Sequence, residues 1–400
     1  MLKYERKLVD WVCSKIYIIA ILAITVIGIV IRYAHRDFVS GDYKWFLSQW
    51  YDEIRANGGL EGLHIQVGDY NLVYQFLIAI MTKFPLDALY AYKILSCFFD
   101  FMLAILVSYF VYYLSDYERE RNACITYAIT LLLPVVFLNS ACWAQCDSIY
   151  VFFLVFSLFA LMKDKHILAF ILYGISFAFK MQAIFLLPFF VFAYIVKKKF
   201  SVLHFILIPI AMILVNIPSF IKGRKLIDVF QIYILQTSVY EKVHMNYPSF
   251  WTILNSSRDT PDFEGFKTMA IWLTCAVLGI IIVLLLAQKI QWDYKVGIYS
   301  ALILSYTCVL FLPSMHERYG YLYEVLAIIV LFMNKKTIPL FFSLMYMSMS
   351  TYGYYLFQTE IDIRKLGILN VAIYLLYCYV LWKDMVKAQA SNEILSEGEK

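Results

Sequence analysis

Residues 313–321 read Pro-Ser-Met-His-Glu-Arg-Tyr-Gly-Tyr, and three adjacent ionisable side chains, His316, Glu317 and Arg318, fall in their middle. VGIYSALILSYTCVLFL (296–312) comes before them and LYEVLAIIVLFM (322–333) after. If the flanking runs cross a membrane, the stretch is a short turn at its rim, and ionisable residues at membrane depth are functional by default. The reading of those two runs therefore decides the fold. The chain has 400 residues, of which 62% are hydrophobic. Its mean hydropathy is +0.71. A soluble chain would be roughly 45–50% apolar, so this composition calls for lipid as solvent. Apolar runs near the ~20 residues of a helical span recur along almost the whole length. The expected fold is all-α: one polytopic helical membrane domain over residues 1–400, with no linker and no internal repeat.

Lys and Arg in short loops mark the cytoplasmic side, and that rule orders the runs. The first, IYIIAILAITVIGIVI, follows Lys3, Arg6, Lys7 and Lys15. It lacks a cleavage site of small residues and reads as a span, not a signal peptide. A long outer segment, about 35–87, follows. The chain returns inside at SDYERERN (115–122), KDKH (163–166), Lys197–Lys199, AQKIQWDYK (287–295) and Asn334–Lys336. A second outer segment covers about 221–266, and residues 384–400 form a cytoplasmic tail expected to fray. About twelve transmembrane helices result, with both termini cytoplasmic in a plasma membrane. The net charge of +5 is spread over many loops, without the basic block that nucleic acid would need. Cys142 and Cys146 are four apart but match no zinc spacing.

The threading puts GDYKWF (41–46), WAQCDSIY (143–150), FKMQ (179–182), HMNYPSFW (244–251) and MHERY (315–319) on one, outer face. YKWFLSQWYDEIRANG (43–58) reads as an amphipathic surface helix stopped by Asn57-Gly58-Gly59. NLVYQFLIAIMTKF (71–84) reads as a second flat helix. Asp42, freed by Gly41, can serve as a base on a hydroxyl, or it can simply cap the surface helix. Arg318 offers a planar fork of donors to a phosphate, and His316 a further one. Lys180 can join them or snorkel; Glu317 can pair with Arg318 instead. Gln145, Asp147 and Gln182 can hydrogen-bond sugar hydroxyls, and Trp143 can stack on a sugar ring.

These residues carry a resemblance. A long first outer loop with an acidic residue just after the first span resembles the GT-C superfamily of integral-membrane glycosyltransferases. PSMHERYGYLYEVLAI, WAQCDSIY and FKMQAIFLLPFF are similar to bacterial mannosyltransferase-type proteins related to the second-mannose transferase of GPI assembly. FKMQAIFLLP and MHER also resemble the glucosyltransferases that use dolichyl-phosphate-glucose. The resemblance implies Asp42 as catalytic base and Lys180, His316 and Arg318 near the donor phosphate. It further implies a polyprenyl-phosphate sugar as donor, a glycan or glycolipid acceptor outside the membrane, inversion at the anomeric carbon and no required cofactor. The family's Tyr-Pro-Pro is DYNLVYQF here, which leaves the part of Asp69 and Tyr70 in acceptor binding open. Two other readings compete. A surface-glycan polymerase or ligase using a pyrophosphate-linked glycan would lean on Arg224 and Arg258, not Asp42. A transporter would use charges at the midplane, where Asp100 is the main one.

Overall fold

The computed structural model describes residues 3–236, 239–288 and 290–398. Among them the chain is helical, with isolated bridges joining Met245 and Asn246 to His316. Helices occupy the apolar runs, and five are long and apolar enough to cross a membrane: Ile16–Ala34, Ala88–Leu114, Phe263–Ala287, Tyr294–Phe311 and Ile363–Lys387. Arg119–Leu132 bends by 47° into 134–142. Pro134 opens the second piece, and a proline there has no N–H for the preceding turn. The remaining apolar helices are shorter, among them Asp147–Met162, His166–Phe179, Met181–Lys197, Val202–Val215 and Tyr321–Met333. Length and composition thus support five spans, or six with the bent pair, where the charge rule counts about twelve.

Burial sorts these helices. Ile16–Ala34 and Phe263–Ala287 keep most of their apolar side chains outside the protein. Every residue from Val296 to Leu310 and from Tyr321 to Val330 is buried inside it. The turn at 313–321 therefore caps the most enclosed helical hairpin of the bundle. Several helix starts are set by a carboxylate that accepts an orphan backbone N–H: Asp87 from Leu89 (2.8 Å), Asp262 from Gly265 (2.9 Å) and Asp293 from Val296 (2.7 Å).

The first long segment differs from the expected flat pair. Tyr43–Leu47 is a wide π-type turn, followed by the helix Ser48–Ala56. Gly58, at φ +84°, ends it, as the Asn-Gly-Gly stop predicts. Leu47, Tyr51 and Ile54 face the protein, while Trp45 and Phe46 are exposed. The second helix, Leu72–Met81, buries Leu72, Val73, Tyr74, Gln75, Ile78 and Ala79. It packs among other helices instead of lying free on a surface. The last helix runs on through the tail to Gly398, where fraying was expected. Residues 399–400 of that tail, and Lys289 in the basic return at 287–295, lie outside the described residues.

Candidate active site

The sequence brings polar turns to one end of the bundle, and the backbone aims them. Between helices His166–Phe179 and Met181–Leu186, Lys180 alone is extended (φ −156°, ψ 134°). That single break turns its side chain inward. Leu138–Cys142 forms a π-type turn, and Ala144 then adopts φ +60°. This kink presents Trp143 and Gln145 to one side and starts the helix Asp147–Met162, with Asp147 in its first turn. A carboxylate is favoured there by the helix dipole. The 313–321 turn is laced to the 243–247 segment: Ser314 N–H donates to Val243 O (3.1 Å), Met245 N–H to Met315 O (2.9 Å) and Glu317 N–H to Met245 O (3.2 Å).

These turns line a cavity of about 360 Å³. Asp42, Asp69, Tyr70, Gln145, Lys180, Gln182, His316, Glu317 and Arg318 face it, together with Tyr240, Arg258 and Tyr355. Asp42 is contacted by several of these groups. Oδ2 accepts from Trp143 Nε1 (2.9 Å) and Gln145 Nε2 (2.6 Å), Oδ1 accepts from the Tyr355 hydroxyl, and Arg318 Nη1 is 3.5 Å from Oδ2. Asp42 makes no capping bond. Ser40 Oγ takes the Tyr43 N–H instead (3.2 Å), so the helix-cap reading of Asp42 is set aside. Arg318 also reaches Asp147 through Nε (3.4 Å) and lies over the Trp143 ring, 5.2 Å from its centroid. Its ion pairs therefore run to Asp42 and Asp147, and the alternative of a local pair with Glu317 is not formed.

Three residues expected to meet sugar have partners within the protein. Trp143 is fully buried and stacks on Tyr355 (4.4 Å between centroids, 16°). Arg318 also lies over the ring, and the indole N–H donates to Asp42. Gln145 accepts from the Tyr70 hydroxyl (3.0 Å) while donating to Asp42. Burial raises the Tyr70 phenol well above its ordinary pKa, so it stays a neutral donor in this relay. Asp147 is fully buried behind the cavity wall, where it accepts from Asn139 (2.8 Å) and pairs with Lys180 and Arg318. Lys180 is thus held by Asp147, and it does not snorkel. Gln182, with Oε1 unpartnered, and the exposed Asp69 remain open to a ligand.

Glu317 and His316 are shaped by burial. Burial first, opposed in part by Arg318, pushes the Glu317 carboxyl up to about 7, and its Oε2 has no partner. Burial, with the charges of Arg318, Lys180 and Arg258 added, drives the His316 imidazole well below its usual range. His316 therefore carries no charge near neutral pH. A carboxyl whose folded pKa lies above its unfolded one binds more protons when folded, so its contribution to stability falls as pH rises between the two. The contribution of Glu317 should therefore decline as pH rises from the ordinary 4.5 to about 7, and Glu317→Gln should change the pH dependence of thermal unfolding across that window. An identical dependence in the variant would remove Glu317 as its source.

Several members of the site escape a reading of sequence. Tyr355 ends the helix Ile338–Phe357 and is indistinguishable there from an interfacial belt tyrosine. Lys93, inside an apolar run, donates to the carbonyls of His35 (2.9 Å), Arg36 (2.9 Å) and Phe38 (2.6 Å). It thereby closes the end of the first long helix and fixes the path into Gly41-Asp42. Lys93→Met should leave those carbonyls unpaired, lower the melting temperature and reduce activity. Unchanged values of both would show that the 35–42 path holds itself. Of the residues for the competing readings, Arg224 bonds to Leu63 O (2.9 Å) and Gln66 Oε1 (3.0 Å), outside the lining of the cavity, whereas Arg258 lines it. Asp100 is buried in a pair with Arg32 (2.8 Å) and accepts from Ser140. All eight cysteines are free thiols, Cys142 and Cys146 included.

No protein-family model matches the chain, and no curated protein matches it.

Proposed function

We propose that this protein is an inverting glycosyltransferase of the GT-C type, moving one sugar from a polyprenyl-phosphate donor to a glycan or glycolipid acceptor. The observation that carries the reading is the pairing, on one cavity wall, of an oriented carboxylate, Asp42, with a guanidinium, Arg318, beside open hydrogen-bonding groups. In this reading the chain threads the plasma membrane about twelve times, the shorter helices completing the count, and the cavity opens outside.

The chemistry balances with these groups. The acceptor O–H bond breaks, and its proton passes to Asp42. The acceptor oxygen bonds to the anomeric carbon from the face opposite the phosphate. The bond from that carbon to the phosphate oxygen breaks, and its electron pair stays on the lipid phosphate. Trp143, Gln145 and Tyr355 hold the carboxylate in place, so little reorganisation accompanies proton transfer. Arg318 and the neutral His316 donate to the phosphate oxygens, while Gln182, Glu317, Asp69 and Tyr70 meet sugar or acceptor hydroxyls. Lys180 acts on the site through Asp147.

The test is the purified protein in lipid, given undecaprenyl-phosphate sugars and, separately, pyrophosphate-linked glycans, with membrane glycolipids as acceptor. Released undecaprenyl monophosphate with glycosylated acceptor is expected. Turnover of the pyrophosphate-linked glycans alone would replace the proposal with the ligase reading. Transport of an intact lipid without cleavage would replace it with a transporter.

A further inference from the structure

Lys180, Asp147, Arg318 and Asp42 form a chain of alternating charge. Lys180 pairs with Asp147, Arg318 Nε lies 3.4 Å from Asp147, and Arg318 Nη1 lies 3.5 Å from Asp42. Two cations face two carboxylates, so the chain is balanced before any substrate enters. A phosphate that took Lys180 away would leave the fully buried Asp147 short of its partner, which is costly. His316, neutral for the reasons above, adds no charge.

Arg258 stands apart from this balance. It lines the same cavity and is exposed. Its guanidinium Nη2 donates to the Met245 sulfur (3.0 Å), a weak acceptor. Among the described residues it makes no ion pair: its neighbour Asp259 pairs with Lys242 instead. The backbone holds it in place, because Val243 N–H donates to Arg258 O (2.7 Å) and Ser314 N–H to Val243 O (3.1 Å). Arg258 is thereby tied to the turn that carries His316 and Arg318.

We infer that Arg258 is a ligand of the substrate's phosphate and supplies the charge that the balanced chain cannot; the inference rests on the lipid-phosphate reading of the cavity. A sugar phosphodiester carries one negative charge. When the bond to the anomeric carbon breaks, the phosphate keeps the electron pair and becomes a monoester with a second ionisable oxygen. A guanidinium without a carboxylate partner answers that added charge, and its planar fork suits two phosphate oxygens. Arg258 is therefore expected to favour the departing lipid monophosphate over the intact donor.

The experiment uses undecaprenyl monophosphate, with undecaprenol as the uncharged control, bound to the full-length protein in zwitterionic nanodiscs and followed by native mass spectrometry. Arg258→Gln should weaken monophosphate binding about tenfold or more, leave undecaprenol binding and the melting temperature unchanged, and be partly rescued by Arg258→Lys. Met245→Leu removes the guanidinium's hydrogen-bond partner and keeps the charge; it should bind as the wild type does. If Met245→Leu reproduces the loss, loop packing and not charge is responsible, and the inference fails. If Arg258→Gln binds monophosphate like the wild type, the inference fails while the lipid-phosphate reading stands. If the wild type prefers undecaprenol or does not distinguish the two, both fail together.

Discussion

Asp42→Asn is expected to fold, bind donor lipid and transfer sugar at least about 100-fold more slowly than the wild type. The acceptor hydroxyl must lose its proton as it bonds to the anomeric carbon, and an amide cannot take it. The surroundings sharpen the expectation. Asp42 accepts from Trp143 and Gln145 on Oδ2 and from Tyr355 on Oδ1, so an amide can keep the first two only if its NH2 faces the Tyr355 hydroxyl, which must then turn to accept. Some stability should be lost with the activity, and thermal unfolding measures that share separately. Tyr355→Phe removes the donor on Oδ1 but keeps the carboxylate, and should cost about tenfold or less. Full activity in Asp42→Asn would end its role as the base. Asp69, which lines the same cavity, would then be tested next, ahead of the enclosed Asp147.

Arg318→Lys is expected to lower transfer about 100-fold, although the charge is retained. The guanidinium spans Asp42 and Asp147 while lying over Trp143. An ammonium is a compact point charge and cannot hold both carboxylates and offer a forked face to phosphate at once. With Lys at this position, Asp147 keeps Lys180 and Asn139, so folding should survive. The fall should appear in turnover and donor affinity alike. Near-normal turnover and donor binding in Arg318→Lys would mean that Arg318 only braces the wall.

The convergence of the polar turns is legible in the sequence, because the charge rule sorts such turns onto two faces. Asp42, Gln145, Lys180 and His316 are far apart in the chain, yet the charge rule places all four on one side, and all four line one cavity. Residue roles are less legible. Trp143, Gln145 and Asp147 have the right groups for sugar, and sequence lists those groups without their partners. Each has internal partners: Trp143 and Gln145 donate to Asp42, and Asp147 pairs with Lys180 and Arg318. Lys93 shows the opposite failure. A lysine in an apolar run reads as an anomaly until its three carbonyl partners are seen.

The sequence by itself determines the helices, their apolar character and the collection of charged and aromatic turns at their ends. These follow from local propensity and from the lack of hydrogen-bonding solvent within lipid, which only closed backbone structures tolerate. Tertiary structure alone decides which helices are enclosed, with Tyr294–Phe311 inside and Ile16–Ala34 outside, because both are apolar. It alone decides which charges are paired. Lys180 and Arg258 look alike as cations beside polar turns, but Lys180 faces Asp147 and Arg258 faces a methionine sulfur. The reason is electrostatic: the buried Lys180 needs a nearby counter-charge, whereas the exposed Arg258 can be solvated without one, and the neighbours that decide this come from distant parts of the chain.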